Sequence, residues 1–289
     1  MKVQFDHLLQ SSFYLWFDDR LTRIASGVDP NVDMTFKYYE ETSDVPSNLD
    51  AYYAPYRQLV GNGDNVPSGV YINGAVTYQN TSPDEYMLID FDQGRVILDP
   101  DEYGSNLSVS GTFSTKDFNV YMTNETEEEL LIENTFILSS DDETQLENVN
   151  KLNVDHYVIP AAFITMASSQ NRPFAMGGLD QTIYNLRTVV LAESNYGLDA
   201  ILSHFRDTKN LGVPILQYQQ FPYGEFFHVK QFPYTYTGLV NGMKGDIWIE
   251  DVKTSKLYDR NSALKLSKGT KVGFIDFELN IVRDPRICS

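Results

Sequence analysis

Hydrophobic residues recur at steps of three and four along the first part of the chain, the spacing that places side chains on one face of a helix. This pattern predicts a helix that ends near Gly27, a plausible C-terminal cap, with Pro30 preventing its continuation. The apolar stripe must pack against a partner surface, in this chain or in a neighbouring one. It is formed by Phe5, Leu8, Leu9, Phe13, Trp16, Phe17, Leu21 and Ile24.

Residues 70–122 show the pattern of short antiparallel strands. VYINGAVTY carries Asn-Gly between two apolar runs, which is a strong hairpin signal. MLIDFDQGRVIL carries Asp-Gln-Gly in the same role, with Gly94 able to adopt a positive φ. LSVSGTFS and DFNVYM follow as further strands, so the segment predicts a small sandwich-like or barrel-like unit. An earlier strand is predicted at 34–41.

The second half of the chain predicts strands around one helix. The acidic segment 124–149 is interpreted as a strand between solvated loops, followed by the buried strands HYVIPAAFITMAS and TIYNLRTVVLAE. SNYGLDAILSHFRDT predicts a helix capped by Ser194 or Asn195. EFFHVKQF, GDIWIEDV and KVGFIDFELNIV are strand-like. The helical spacing is set by Leu198, Ile201, Leu202 and Phe205.

These elements predict an α+β fold, mainly antiparallel β, with an N-terminal helix, a β-sandwich-like unit and a sheet-plus-helix core. Residues 1–45 are expected to supply a helix and a strand to that core, and 46–69 to form an extended loop. Residues 70–122 form the small β unit, and 123–289 the core domain.

Proline, glycine, asparagine and serine dominate residues 42–69, with the aromatic cluster AYYAPYRQ (51–58) among them. A loop of this length in a compact domain often serves as an interaction loop or a linker. Residues 51–58 are therefore predicted to form a subunit contact, although ordinary packing of a tyrosine-rich β protein is the alternative. The candidate interface residues are Tyr52, Tyr53, Tyr56, Arg57, Phe174, Tyr234 and Tyr236.

Gly177 and Gly178 lie between two predicted strands. A phosphate-binding glycine loop opens directly into a helix, whereas here a strand comes next and the helix begins later. GNGDNV (61–66) begins like a dinucleotide-binding motif but lacks its third glycine. The glycine pair is therefore predicted to turn a hairpin.

The composition is that of a folded protein, with 42% hydrophobic and 21% charged residues. Acidic residues outnumber basic residues 40 to 22, which gives a formal net charge of −18. Such a surface repels a phosphate backbone, so broad nucleic-acid binding is not expected. Cys288 is the only cysteine, which excludes an internal disulfide framework and a cysteine-based zinc site. No secretion signal and no membrane span are expected from the apolar runs.

Catalytic motifs are not evident in the sequence. The histidines are scattered without metal-ligand spacing, and His204 is predicted to be an exposed polar side chain on its helix. No nucleophile-elbow motif surrounds a serine. Asp90, Asp92 and Gly94 resemble the start of a calcium loop, but the twelfth position is Asp101 and the rest of the loop is missing. We therefore predict no enzyme, no cofactor and no metal site.

Two stretches resemble segments of bacteriophage virion proteins. LIDFDQGRVILDPDEYGSNLSVSGTFSTKDFNVY (88–121) resembles the hairpin-and-strand segment of neck, tail and baseplate components. The unit 157–216, in which strand, glycine loop and strand precede a helix with a Leu-Asp pair, is similar to the core of tail-terminator and tail-completion proteins. The predicted N-terminal helix followed by a strand also suits this group.

This resemblance implies a structural subunit at the phage head–tail junction, in the virion, assembled in the host bacterial cytoplasm. It implies a homo-oligomeric ring, a hexamer or a dodecamer, that contacts other neck and tail proteins. DNA would pass through an acidic lumen without tight binding, since attraction to phosphates would stall it. The negative charge serves solubility equally well.

Two other functions remain open. Tyrosine richness and proline-glycine loops also fit a carbohydrate-binding β-sandwich or receptor-binding module of a phage tail. A glycosidase that relies on two unassigned carboxylates comes third, because the distance between such acids cannot be read from a sequence.

Overall fold

A computed structural model describes most of the chain. The described residues are 5–24, 32–39, 45–54, 58–61, 69–78, 87–138, 156–174, 179–222, 234–241, 246–257 and 270–283.

The described helices are α1 (Phe5–Ile24), α2 (Pro100–Tyr103), α3 (Glu127–Glu133), α4 (Asn195–Arg206) and α5 (Tyr236–Val240), with a 3₁₀ turn at Tyr218–Gln220. None of these helices is both long and apolar enough to cross a bilayer. The strands are β1 (Val32–Tyr39), β2 (Asp50–Tyr53), β3 (Gly69–Ile72), β4 (Ala75–Tyr78), β5 (Met87–Asp90), β6 (Arg95–Leu98), β7 (Val109–Phe113), β8 (Asn119–Met122), β9 (Thr135–Leu138), β10 (His156–Ile159), β11 (Ala161–Pro173), β12 (Asp180–Ala192), β13 (Gly212–Pro214), β14 (Asp246–Lys256) and β15 (Lys271–Arg283).

Two larger sheets organise these strands, and the α+β class predicted from the sequence is confirmed. The first is a seven-stranded antiparallel sheet in the order β4-β3-β7-β1-β2-β6-β5. The second has six strands in the order β13-β14-β15-β12-β11-β8, antiparallel except where β8 runs parallel to β11. A parallel pair, β9 with β10, forms a third small sheet.

The predicted hairpins of the first sheet are present. Asn73 and Gly74 both have positive φ between β3 and β4, the backbone that a tight two-residue hairpin requires. Gly94 has a φ of 61° between β5 and β6. Side chains from β1, β2, β3, β5, β6 and β7 meet in one hydrophobic cluster, so this sheet curls around its own core.

The second sheet is covered on both faces near its middle. One face packs against α1 and α4, and the buried residues of α4 are the predicted Leu198, Ile201, Leu202 and Phe205. The opposite face packs against α3 and the β9–β10 pair. Ser194 caps α4 by accepting a hydrogen bond from the Gly197 N–H, which confirms one of the two predicted caps.

Helix α1 is more deeply buried than an amphipathic stripe implies. Every residue from 12 to 19 is buried, including the polar Ser12, Asp18 and Asp19. The run of five consecutive apolar residues at 13–17 leaves little polar surface at this level of the helix, as expected for a helix enclosed on several sides.

The two large sheets do not follow the predicted domain boundaries, because each contains strands from more than one predicted unit. Strands β1 and β2, predicted as core strand and loop, lie inside the seven-stranded sheet together with the 70–113 region. Strand β8, predicted within the 70–122 unit, belongs to the six-stranded sheet. Long-range pairing decides this membership, and local periodicity carries no information about it.

The segment after residue 124 corrects the sequence interpretation. Residues predicted to begin a strand form α3, and the strand is confined to β9. A capping box fixes the start of α3, because the Thr126 hydroxyl accepts from the Glu129 N–H and the Glu129 carboxylate accepts from the Thr126 N–H. The pattern Thr-x-x-Glu was present in the sequence and is the signal that was missed.

Replacing Thr126 tests this cap. Thr126→Ala removes the acceptor for the Glu129 N–H, and we expect the free energy of unfolding to fall by about 1 kcal/mol. Urea denaturation monitored by circular dichroism measures the change. Thr126→Ser keeps the hydroxyl and serves as the control. A loss from Ser as large as that from Ala would contradict the role of the cap.

Candidate functional site

Three of the predicted interface tyrosines lie in the hydrophobic cores, which corrects the expectation that they contact a partner. Tyr52 is 1% exposed, because β2 is paired on both sides, with β1 and β6, and its ring points into the curled sheet. Tyr234 packs in the same core, and Tyr236 packs beside α1 in the core of the second sheet. These side chains bury apolar ring area within the chain.

The other four predicted residues have different positions. The Tyr53 ring is half-buried, with the Arg95 guanidinium carbon 5.6 Å from its centroid. Phe174 is 53% exposed at the end of β11, so it remains accessible to a partner. Tyr56 and Arg57 lie outside the described residues. The described members therefore do not form one surface.

The glycine pair 177–178 lies outside the described residues, but the strands that flank it pair with each other. Strands β11 and β12 pair antiparallel as far as Pro173, which lies opposite Asp180. Beyond this pair, the Phe174 N–H donates to the Leu179 carbonyl at 2.9 Å. The predicted hairpin connection is thereby confirmed, and the strand-to-helix context of a phosphate loop is not present here.

The acidic residues that resembled a calcium loop are engaged by protein groups. Asp90 is buried and accepts from the Arg95 Nε at 2.8 Å and from the N–H groups of Asp92 and Gln93 at 3.1 Å. Burial raises the pKa of Asp90, and the Arg95 charge opposes this effect. Within the described residues no cluster of three or more His, Cys, Asp or Glu side chains could hold a metal ion.

A buried polar network joins α1 and both large sheets. We call it the junction network, and its centre is Gln58. The Gln58 amide donates to Asp92 and to the Val120 carbonyl, both at 2.7 Å, and accepts from the Val120 N–H at 2.8 Å. The Gln58 N–H also donates to Asn119 at 3.1 Å. The members of the network are Tyr14, Asp18, Gln58, Asp92, Lys116 and Asn119.

An ion pair closes the network on the side of α1. The Lys116 Nζ lies 2.6 Å from the Asp18 carboxylate and 3.3 Å from the Gln58 Oε1. Only 6% of the Lys116 side chain and 4% of the Asp18 side chain are exposed. Charges this well buried are tolerated only when they are paired and hydrogen-bonded.

Asp92 is the titrating group of the network. Its carboxylate accepts from the Tyr14 hydroxyl at 3.1 Å and from Gln58, while Asp90 and Asp18 add negative charge nearby. Desolvation has the largest effect on the pKa of Asp92, and together with the negative charge of Asp90 it raises this pKa from 3.8 to about 7. The positive charge of Lys116 lowers the pKa and so opposes this rise.

This raised pKa makes stability depend on pH. The folded state binds the Asp92 proton more tightly than the unfolded state, so this contribution is complete below pH 4 and is lost as the pH rises through 7. Asp92→Asn removes the titration, so we expect the free energy of unfolding of this variant, relative to that of the native chain, to rise by about 4 kcal/mol as the pH goes from 4 to 8. Thermal unfolding across this range measures the difference. A difference that does not change with pH would contradict the assignment.

A second polar site lies on the face of the six-stranded sheet beside α3. It is a cleft of about 540 Å³ whose wall is the segment 124–127. At its centre Arg187 makes a bidentate pair with Asp276, at 2.7 and 3.0 Å, and donates to Glu127 at 2.9 Å. Asp276 raises the pKa of Arg187 further above its ordinary value.

The charged side chains of this cleft are bound to one another, which favours a structural role over a catalytic one. Both oxygens of Asp276 are bound to Arg187, so that carboxylate is poorly placed to accept a proton or to attack a substrate. The guanidinium also lies 5.7 Å from the Phe274 ring centroid. The cleft links the first turn of α3 to the neighbouring strands β12 and β15.

No known family model matches this chain, and no curated protein matches it.

Sequence reasoning missed the junction network. Its members come from helix, loop and strand segments far apart in the sequence, and Asp18 and Lys116, which form its ion pair, are 98 positions apart. The available signal was the pair Asp18-Asp19 directly after the apolar run at 13–17. His204 was also misassigned, since its Nε2 is buried and makes no hydrogen bond, and burial lowers its pKa.

Proposed function

We propose that this chain is a structural virion subunit at a phage head–tail junction, in the neck or as a tail terminator or tail-completion protein. It acts by assembling into a homo-oligomeric ring and catalyses no reaction. The observation that carries the proposal is the unit 157–216, in which β11, the hairpin, β12 and α4 follow in the order strand, loop, strand and helix that the resemblance implies.

The arrangement of this unit supports an assembly role. Residues 167–174 are exposed, and Phe174 directly follows the last residue of β11. An exposed aromatic side chain at the end of a long hairpin suits insertion into a neighbouring subunit. In this proposal the ring contacts other neck and tail proteins, and the net charge of −18 keeps passing DNA from adhering to its lumen.

The location of the chain tests this proposal. Phage particles purified by density gradient are digested and analysed by mass spectrometry, with a non-virion phage protein as the control. We expect peptides of this chain at a constant ratio to tail proteins in intact particles. Its presence only in the soluble lysate, together with the control protein, would contradict a virion role.

A carbohydrate-binding module is the second candidate, and one described residue favours it. Trp248 on β14 is 56% exposed and lies opposite Asn280 on the face that carries Asn185 and Glu278. An open indole ring beside amide and carboxylate groups is a suitable platform for a sugar ring. A glycan array tests it, with Trp248→Ala as the control. Specific binding that Trp248→Ala abolishes would favour this candidate, and no binding would exclude it.

A further inference from the structure

A groove of about 770 Å³ lies between the outer side of α4 and one edge of the six-stranded sheet. The buried side of α4 packs down onto the sheet, and its outward residues overhang strand β14. Tyr196 is 85% exposed on this side, and no other large apolar side chain in the described part of the chain is as open. The groove is lined by Tyr196, Asp199, Ser203, Arg206, Thr254 and Ser255.

Backbone groups of β14 face this groove. The Leu257 N–H donates to the Val272 carbonyl at 3.0 Å, so the pairing between β14 and β15 places the odd-numbered residues 253 and 255 in hydrogen-bonded positions. Because these positions alternate along an antiparallel strand, the N–H and C=O of Thr254 point away from β15. Strand β13 pairs with β14 only at residues 246–248 and does not reach this part of the edge.

The charges around the groove differ from those of the whole chain. Its lining holds two basic residues, Arg206 and Lys256, against one acidic residue, Asp199. The Arg206 side chain is 61% exposed. The Arg206 guanidinium lies 3.8 Å from the carboxylate of its sequence neighbour Asp207, an exposed contact that leaves the cation accessible. Asp199 is bound to Lys256 across the groove. Over the whole chain, by contrast, acidic residues outnumber basic residues 40 to 22.

We propose that this groove receives an extended acidic segment of a second copy of this chain, which adds a strand to the edge of β14. The proposal rests on the homo-oligomer of the proposed function and names one of its contacts. Backbone hydrogen bonds to Thr254 set the register of the added strand. A carboxylate of the incoming copy meets Arg206, and the Tyr196 ring covers the strand.

This contact is heterologous, since the groove and the incoming segment are different parts of the chain. Repetition of such a contact closes into a ring when the rotation between copies permits it. An exposed sheet edge also attracts non-specific pairing, and occupation by a neighbouring copy removes this liability.

Hydrogen exchange of individual β14 amides tests the proposal on the full chain. Exchange is measured over a protein concentration series, and light scattering reports the mass of the species at each step. We expect the Thr254 amide to exchange at least tenfold more slowly in the oligomer than in the dilute monomer. The amides of Lys253 and Ser255 are internal controls, because β15 protects them in both states.

Two variants test the same contact without hydrogen exchange. Arg206→Glu reverses the charge that meets the incoming carboxylates, and Tyr196→Ala removes the covering ring. Both side chains are exposed, so the fold is retained, and we expect a tenfold or greater rise in the concentration needed for assembly. Tyr71→Ala removes a 46% exposed tyrosine from the other large sheet and is the matched control, expected to assemble as the native chain does.

The outcomes separate this contact from the proposed function. An oligomer in which the Thr254 amide exchanges as in the monomer, or in which both variants assemble normally, overturns the groove contact and leaves the ring intact. A native chain that stays monomeric at every concentration contradicts the ring itself. Slower exchange at Thr254 together with impaired assembly of the variants supports both.

Discussion

Lys116→Met is expected to lower the free energy of unfolding by about 3–5 kcal/mol, because it leaves the Asp18 carboxylate buried without a counter-ion. It also removes the donor to Gln58, the residue that links Asp92 to Val120 in the junction network. Methionine keeps most of the side-chain volume, so the loss reports charge and hydrogen bonding more than packing. Equilibrium denaturation in guanidinium chloride measures it.

A matched control uses an exposed ion pair. Lys209 lies 3.0 Å from Asp251, with half of its side chain exposed, and Lys209→Met is expected to cost less than about 1 kcal/mol. The double variant Asp18→Asn/Lys116→Met removes both buried charges and is expected to recover part of the loss. If Lys116→Met costs no more than Lys209→Met, the network does not hold the two sheets together.

Phe205→Ala is expected to cost about 3–5 kcal/mol, because Phe205 is fully buried at the centre of the aromatic cluster that joins α4 to α1. Its ring stacks on Phe17 at 3.9 Å and meets Trp16 and Phe277 at 6.1 and 6.0 Å between centroids. Removing it deletes contacts with two other elements and leaves a cavity. Thermal denaturation measures the loss.

Tyr196→Ala on the same helix is the control for this measurement. Tyr196 is 85% exposed and its truncation is expected to change stability by less than about 0.5 kcal/mol. Equal losses from the two substitutions would contradict the packing of α4 on the sheet. A small stability change for Tyr196→Ala would also show that this variant remains folded, as its use in the assembly experiment requires.

Local patterns in the sequence predicted the elements whose signals are local. Helix α4 has a capping serine and four apolar residues at helical spacing, and both features appear as predicted. The Asn73-Gly74 turn likewise depends on residues that accept a positive φ. Helix α1 was predicted because its apolar residues recur along Phe5–Ile24, whereas the predicted cap at Gly27 lies outside the described residues.

Features that depend on partners distant in the sequence were not predicted. Residues 50–53 were assigned to a loop because of their proline- and glycine-rich surroundings, yet pairing with β1 and β6 makes them a central strand. Tyr52 therefore changed from a candidate contact to a core residue. The junction network has the same origin, since no local pattern indicates that Gln58 will meet both Asp92 and Val120.

The junction network and the groove have different consequences for assembly. The network ties α1 and the curled sheet to β8, so it is expected to hold the subunit in one shape. The groove lies at the part of β14 that β13 does not cover, and β8 forms the opposite edge of the six-stranded sheet. A substitution in the network should therefore act through stability, whereas one in the groove should act through association.

The mass of the purified native chain in solution tests the central claim most directly. Mass photometry and native mass spectrometry are applied across a wide range of concentrations at near-physiological salt. A ring-forming subunit is expected to show a closed species of six or twelve chains, each of 33.0 kDa, and to appear as an annulus in negative-stain images. A single species of 33.0 kDa at every concentration would contradict the claim.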